Sequence, residues 1–115
     1  MTSVTGDDVR IALPTEALER FCRRWQIDEL ALFGSVLRDD FGADSDIDVL
    51  VTFAPGSERS VDDLIAMQEE VEAVFGRRVD LVNRRAVEES RNYLRRRAIL
   101  RSAKTIYVAR SGVSA

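Results

Sequence analysis

The sequence predicts an α/β (α+β) domain in which a small mixed sheet of three or four strands is covered by helices. Short apolar segments bounded by glycine, proline and aspartate alternate with longer segments in which apolar side chains recur at helical spacing. The length of 115 residues suits one domain. The composition, 45% hydrophobic and 32% charged, is that of an ordinary globular protein, and no apolar run reaches the roughly 20 residues of a membrane helix.

The first half of the chain contains one predicted helix and two predicted strands. Pro14 and Thr15 begin a helix that continues to about Gln26, and its apolar stripe is expected to face the sheet. That stripe comprises Leu18, Phe21, Cys22 and Trp25. The strands are Leu30–Phe33 and Ile47–Phe53, after which Ala54-Pro55-Gly56-Ser57 is typical of a turn.

The next predicted element is a helix with signals at both ends. Ser60, followed three residues later by Asp63, is typical of a capping box, and Gly76 is expected to terminate the helix after Phe75. Its buried side is predicted to comprise Val61, Leu64, Ile65, Val71, Val74 and Phe75.

A strand over 78–83, a helix over 86–103 and a short strand over 105–108 complete the predicted sheet and its cover. The inward residues of this last helix are predicted to be Tyr93, Leu94, Ala98 and Leu100. The ordered domain therefore spans residues 13–108. Residues 1–12 are polar and weakly patterned, which predicts a flexible arm, and residues 109–115 are predicted to form a frayed tail.

Cysteine and histidine usage limits the chemistry that is available. Cys22 is the only cysteine and histidine is absent, which excludes an intrachain disulfide and zinc sites built from cysteine and histidine. The N-terminus does not resemble a signal peptide. These observations predict a reducing, cytoplasmic location and no membrane partner.

Charge is unevenly distributed along the chain. Residues 1–57 contain 5 basic and 11 acidic side chains, whereas residues 58–115 contain 12 and 9. The basic excess is sharpest from Arg77 to Lys104. It could form a surface for an acidic partner, a triphosphate or nucleic acid, or it could be a solvated helix face. We favour the solvated face and expect no direct nucleic-acid binding, because aromatic residues are not interleaved with the arginines.

The segment from Gly34 to Asp48 carries the strongest functional pattern. Gly34 and Ser35 are separated by ten residues from Asp46-Ile47-Asp48, which opens an apolar strand. Because strand side chains alternate between faces, Asp46 and Asp48 point the same way. Two like charges on one face of a strand repel unless a cation joins them. Mg²⁺ is the simplest such cation, since it is commonly held by one or two carboxylates together with substrate phosphates.

The Gly-Ser pair fits the phosphate half of such a site. Gly34 allows a phosphate to approach the backbone, and Ser35 is a good N-cap for a short helical segment from Val36 to Phe41. Helix N-termini attract anions. The pattern therefore predicts that one loop binds a triphosphate while the following strand holds the metal that bridges it.

Each of these residues also has a purely structural interpretation. Taken alone, Asp46 is better explained as a turn residue, whereas Asp48 lies inside an apolar strand and favours function. For Ser35, a role only as a helix cap stays open. Two further candidates are Asp80, inside the apolar stretch 79–82, and Arg38, three residues after Ser35. Asp80 could pair with Arg77, Arg78 or Arg84, and Arg38 could pair with Asp39 or Asp40.

The combined pattern resembles the DNA polymerase β-type nucleotidyltransferase superfamily, and in this short form its minimal nucleotidyltransferase (MNT) branch. Gly34-Ser35 and Asp46-x-Asp48 resemble its signature. Asp80, within the apolar stretch 79–82, is similar to its third carboxylate, and Arg38 falls where many minimal members have an arginine. The resemblance covers roughly residues 15–108 and implies the polymerase β-like nucleotidyltransferase fold.

The resemblance implies a mechanism and a role for each residue. Asp46 and Asp48 would bridge two Mg²⁺ ions, and Asp80 would hold one of them and orient or deprotonate the acceptor hydroxyl. Gly34 and Ser35 would contact the β- and γ-phosphates, with nearby Arg38 stabilising developing charge. The implied reaction transfers AMP, or another NMP, from ATP or another nucleoside triphosphate to a hydroxyl.

The resemblance also implies the partner. Stand-alone minimal nucleotidyltransferases resemble the antitoxins of HEPN/MNT pairs, which adenylylate a tyrosine of a HEPN-type ribonuclease toxin. The chain is too short for an acceptor-binding domain of its own, which agrees with a protein acceptor. The alternative is a non-catalytic binding module of the same fold that occludes its partner through the arginine-rich helix. Transfer to an antibiotic or a sugar ranks last, because such enzymes need more chain to enclose the acceptor.

Overall fold

A mixed sheet with helices on both faces forms the fold in a computed structural model that describes residues 3–4, 13–37, 41–42, 44–57 and 59–109. The strands are β1 (Ser3–Val4), β2 (Ile27–Phe33), β3 (Ile47–Phe53), β4 (Val79–Asn83) and β5 (Lys104–Val108). The helices are α1 (Thr15–Arg24), α2 (Val61–Phe75), α3 (Arg84–Glu88) and α4 (Tyr93–Ser102), with a 3-10 turn at Gly34–Leu37. Most of the predicted arm and tail, and Arg38, lie outside the described residues.

The strand order is β1-β5-β2-β3-β4. Strands β3 and β4 are parallel, whereas the pairs β1–β5, β5–β2 and β2–β3 are antiparallel. The predicted small mixed sheet with its helical cover is confirmed; the two-residue strand β1 extends it at one edge. No helix in the described ranges has both the length and the apolar character needed to cross a bilayer.

Strand β3 separates two apolar cores because its side chains alternate between faces. One face packs against α1 and α2, and the other against α3 and α4. The first core includes Ile47, Val49 and Val51 with Leu18, Phe21, Met67 and Val71. The second includes Leu50 with Ala31, Phe33, Val87 and Ile99. The predicted stripe of α1 is confirmed as core, since its four residues are at most 8% exposed.

The capping signals of α2 are confirmed. The Ser60 Oγ accepts the backbone N–H of Asp63 at 3.1 Å, and the Asp63 carboxylate accepts the N–H of Ser60 at 3.4 Å. Gly76 ends the helix in the left-handed conformation, with φ +71°. Strand β2 begins at Ile27, earlier than predicted, because Gln26 takes a positive φ of 55° and turns the chain directly after α1.

The predicted buried side of α2 is wrong for its first two turns. Val61, Leu64 and Ile65 are 72%, 39% and 56% exposed. The helix packs through Met67 and Val71 in its second half, and a groove of about 310 Å³ separates its first half from the sheet. Helical periodicity identifies an apolar face, but it does not show how far the underlying sheet extends.

The predicted helix over 86–103 is interrupted, and three of its four predicted inward residues are exposed. The Asn92 side chain accepts the N–H of Arg95 at 3.1 Å and so starts α4 as a separate helix. Tyr93 and Leu94 are 55% and 77% exposed, and Ala98 is also exposed. The buried residue of α4 is Ile99.

Candidate active site

The parallel pairing of β3 and β4 brings Asp48 and Asp80 together. The two residues are direct partners in the register. Paired residues of neighbouring strands lie about 4.8 Å apart and project from the same face. Asp48 is partly buried and Asp80 is exposed, so solvent and ligands reach both carboxylates. The fold thus places two of the three predicted acidic residues side by side.

Helix α2 fixes the start of β4 just before Asp80. The Val79 N–H donates to the Glu72 carboxylate at 3.1 Å, and the Gln68 amide donates to the Val79 carbonyl oxygen. The Gln68 amide also donates to Glu72 at 3.0 Å. Two side chains of α2 therefore satisfy the outer backbone groups of Val79, which holds the following residue in its register opposite Asp48.

Gly34 lies directly against Asp48. It follows Phe33, which is the β2 residue paired with Asp48. Its φ of +77° is in the left-handed region that favours glycine. A Cβ at this position would overlap the Oδ2 of Asp48 and lie 3.3 Å from its Cγ. Glycine is therefore needed here both for its backbone conformation and for the space beside the carboxylate.

Ser35 is predicted to cap a short helical segment from Val36 to Phe41, of which residues 38–40 lie outside the described residues. It is the second residue of the 3-10 turn, which begins at Gly34. The turn is anchored by the fully buried Val36, and Ser35 itself remains partly exposed. Its hydroxyl is consequently accessible to a ligand next to Gly34. The predicted phosphate ligand Arg38 lies outside the described residues, so its position relative to this turn stays a prediction.

Asp46 lies two residues before Asp48 but has a different neighbour. Its Oδ1 lies 3.9 Å from the Nε of Arg78, and both side chains are largely exposed. The Ile47 N–H donates to the Arg78 carbonyl oxygen at 3.0 Å, which continues the β3–β4 ladder by one step. Asp46 and Arg78 thus form the next pair along the same face.

The three aspartates do not converge on a single point as the side chains stand. Among the residues that the structure describes, no group of three acidic, cysteine or histidine side chains is close enough to share a metal ion. Asp48 and Asp80 nevertheless supply adjacent, accessible oxygen donors, which suits a hard cation such as Mg²⁺. An exposed ion pair contributes only about 0–1 kcal/mol, so Asp46 can leave Arg78 at little cost.

The arginines that could have paired with Asp80 have other partners. Arg78 pairs with Asp46, and Arg84 pairs with Glu29 at 3.6 Å. Arg77 donates to the Ser45 carbonyl oxygen at 3.2 Å.

Arg77 stabilises the loop before Asp46, a role that sequence reasoning missed. Besides its bond to Ser45, it donates to the Gly42 carbonyl oxygen at 3.4 Å, and its guanidinium lies 4.6 Å from the centre of the Phe41 ring. The Gly42 N–H also donates to the Ser45 Oγ at 3.0 Å. No local motif marks this role, because its partners lie more than 30 residues away.

Two cavities lie on the α3–α4 side of the sheet. The larger, about 640 Å³, is lined by Thr52, Phe53 and Arg84. It lies at the C-terminal end of β3, whereas Asp48 lies at the N-terminal end. Among the charged residues that line this cavity, Arg84 pairs with both Glu29 and Glu88. The smaller, about 180 Å³, includes Val82, two residues beyond Asp80 on the same face of β4. The candidate site is the carboxylate pair and its adjoining turn.

Comparisons with known proteins identify the family of this chain. Residues 15–106 match the family model described as a nucleotidyltransferase domain. The protein adenylyltransferase MntA of Thermococcus cleftensis is 37% identical over 82 residues, which cover 71% of this chain and 80% of that protein. A Methanocaldococcus jannaschii protein assigned to the protein adenylyltransferases is 30% identical over 64 residues, 56% of this chain, and the match spans 64% of that relative's length.

A solved complex has the same fold. It contains the tri-AMPylated HEPN toxin of Shewanella oneidensis and an MNT antitoxin. One chain of this complex matches with a TM-score of 0.56 and 17% identity, over 86% of this chain and 73% of the solved chain. The family match begins at the start of α1, extends into β5, and includes the Gly-Ser pair and all three aspartates. This chain therefore belongs to the nucleotidyltransferase domain family.

Proposed function

We propose that this chain is a Mg²⁺-dependent protein adenylyltransferase that transfers AMP from ATP to a hydroxyl on a partner protein. The observation that carries the proposal is the pairing of Asp48 with Asp80, with Gly34 packed against Asp48. A structural role alone does not account for two adjacent, accessible carboxylates beside a glycine that must remain without a side chain. Such carboxylates suit a reaction in which charge on phosphate is neutralised by divalent cations.

In the proposed reaction the acceptor oxygen forms a bond to the α-phosphorus of ATP, and the bond to the bridging oxygen of pyrophosphate breaks. Pyrophosphate leaves with the electron pair. The Asp80 carboxylate orients the acceptor hydroxyl and takes its proton, which then passes to solvent. Asp46, Asp48 and Asp80 would hold Mg²⁺, which would supply positive charge next to the attacking and leaving oxygens.

The turn after β2 binds the triphosphate in this proposal. Phosphate oxygens lie beside the backbone of the Gly34–Leu37 turn, and the hydroxyl of the partly exposed Ser35 donates to one of them. Arg38, three residues farther along, adds a planar cation for the developing negative charge. Asp46 reaches the site by leaving its exposed pair with Arg78.

We further propose that the acceptor is a tyrosine of a HEPN-type toxin and that this chain acts as its antitoxin. Support comes from the relative named MntA protein adenylyltransferase and from the solved complex of an AMPylated HEPN toxin with an MNT antitoxin.

The test is transfer of label to the HEPN-type protein encoded by the adjacent gene. The chain, Mg²⁺ and that protein are incubated with ATP labelled at the α-phosphate or, in parallel, at the γ-phosphate. Adenylyl transfer labels the partner only from the α-position. We expect Asp48→Asn and Asp80→Asn each to reduce labelling by at least about 100-fold, while the remote, exposed variant Asp62→Asn labels normally. Label from the γ-position, or full activity of Asp48→Asn, would contradict the proposal.

A second candidate, neutralisation of the partner by occlusion without catalysis, is favoured by the exposed Tyr93 and Leu94 of the arginine-rich α4. It predicts that the partner is neutralised equally well by the wild type and by Asp48→Asn, with no label transferred. The labelling experiment therefore distinguishes the two candidates when partner toxicity is measured in parallel.

A further inference from the structure

The outward face of α4 is a surface that the proposed catalytic residues do not use. With 3.6 residues per turn, the side opposite to the buried Ile99 carries four side chains. These are Tyr93, Leu94, Arg97 and Arg101, and all four are exposed. Leu94 is 77% exposed and Tyr93 is 55% exposed. We refer to these four residues as the α4 face.

The composition of the α4 face is typical of a protein interface. Tyrosine and arginine are enriched among the residues that dominate binding energies, and charged rims commonly surround apolar centres. Helix α4 has 10 residues, of which only Ile99 is buried, so the helix is held to the domain by little packing. A short helix gains most of its stability from packing, and a partner on the α4 face would supply it.

The charge of this region defines the chemistry of the partner. Residues 84–104 contain eight basic and two acidic side chains, and α4 itself contains no acidic residue. The two acidic residues, Glu88 and Glu89, form ion pairs with Arg84 and Arg85. The positive charge of the α4 face is thus not matched within its own segment, and a complementary partner is acidic.

Helix α4 covers the same face of the sheet that carries the active-site carboxylates. Ile99 packs in one cluster with Leu50 and Phe33. Leu50 is two residues beyond Asp48 on the same face of β3, and Phe33 is paired with Asp48 on β2. A protein bound to α4 therefore lies on the side of the domain from which Asp48 and Asp80 are reached.

We propose that the α4 face is the docking surface for the acceptor protein, and that the acceptor presents an acidic surface with an apolar patch. This inference rests on the proposed function only for the identity of the acceptor. Docking on α4 holds the acceptor beside the carboxylates without occupying them. A second copy of this chain bound to the α4 face would prevent the acceptor from docking there.

The experiment measures docking separately from catalysis. The affinity of the HEPN-type protein from the adjacent gene is determined by calorimetry without ATP, in an Asp48→Asn background, so a failure of catalysis does not affect the result. We expect Arg97→Glu combined with Arg101→Glu, and separately Leu94→Asp, to weaken binding by at least about tenfold. The matched control is Arg85→Glu, which reverses an exposed arginine on α3 outside the α4 face.

Two further measurements complete the test. When Asp48 is retained, we expect the α4 variants to bind ATP with the affinity of the wild type. We also expect AMP transfer to recover when the partner concentration is raised, because the substitutions affect KM and not kcat. Unchanged partner affinity in both α4 variants would overturn the proposal, as would a wild-type chain that does not bind the partner. A wild-type dimer that becomes monomeric in Arg97→Glu, measured by light scattering, would assign the face to self-association instead.

Discussion

Gly34 and Asp48 are in such close contact that one methyl group on Gly34 would clash with a carboxylate oxygen of Asp48. The backbone of Gly34 also has a φ of +77°, which disfavours any residue with a side chain. These two constraints can be separated experimentally, because Gly56 has a nearly identical φ of +80° and open space where its Cβ would be.

We predict that Gly34→Ala lowers AMP transfer far more than Gly56→Ala does. Both variants share a backbone strain of about 1–2 kcal/mol, which urea unfolding measures. Only Gly34→Ala also displaces the Asp48 carboxylate, so its kcat should fall by at least about 100-fold. The comparison is made at matched temperature with α-labelled ATP. Equal activity of the two variants would show that the contact with Asp48 does not matter for catalysis.

The ion pair between Asp46 and Arg78 leads to a second prediction. If Asp46 must leave Arg78 to bind Mg²⁺, then Arg78→Gln should tighten the binding of Mg²⁺ and ATP. The gain is limited to about fivefold, since an exposed pair contributes at most about 1 kcal/mol. Calorimetry measures the affinity. The matched control is Arg85→Gln, which breaks the exposed pair with Glu89. Weaker binding in Arg78→Gln would instead indicate that Arg78 contacts the phosphates.

The site shows how far sequence reasoning extends. Alternation along one strand predicts that Asp48 lies on the same face as Asp46, and the apolar neighbours of Asp80 indicate that this carboxylate is unusual. The parallel register that makes the two residues partners depends on contacts between distant segments, and no local signal in the sequence specifies it. No local signal specifies the partner of Arg78 either. The sequence allows a pair with Asp80, whereas the structure pairs Arg78 with Asp46.

The two errors in the predicted helices have separate physical causes. Apolar spacing in α2 identified a helix, but Leu64 and Ile65 are exposed because the helix packs only through its second half. The interruption before α4 carries no glycine or proline. It depends on capping by Asn92, whose hydrogen bond to Arg95 competes with continuation of the helix.

Cys22 gives a prediction for the dependence of stability on pH. Burial, and secondarily the charge of Glu19, raises the pKa of its thiol from 9.0 to about 12. The unfolded chain therefore releases the proton first as the pH rises. The free energy of unfolding should be insensitive to this group below about pH 8 and should fall above pH 9, by up to about 1.4 kcal/mol per pH unit.

Urea unfolding between pH 8.5 and 10 measures this slope, and Cys22→Ala is the reference. The cavity that this substitution creates lowers the free energy of unfolding by the same amount at every pH, so the contribution of the thiol is read from the slope alone. Burial also raises the pKa of Tyr107 above 10.0, which adds a slope of the same sign at higher pH in both proteins. Retention of the full slope in Cys22→Ala would show that Cys22 is not its source.

Trp25 links α1 to α2 and is the basis of the last prediction. Its indole N–H donates to the Glu70 carboxylate at 3.1 Å, and the guanidinium groups of Arg24 and Arg59 lie 5.3 and 5.4 Å from the ring centre. The ring is only 8% exposed, so Glu70→Ala leaves a nearly buried N–H without its acceptor. We expect a loss of about 1–2 kcal/mol in the free energy of unfolding.

Fluorescence of Trp25, the only tryptophan, reports this unfolding directly. Glu70→Gln provides the informative comparison, because its amide oxygen still accepts the indole N–H while the ion pair of Glu70 with the exposed Arg24 is lost. That variant should lose less than about 1 kcal/mol. Glu69→Ala, at the neighbouring exposed position of α2, controls for the change in helix charge. If Glu70→Ala and Glu69→Ala were equally stable, the hydrogen bond to Trp25 would contribute nothing to the packing of α1 on α2.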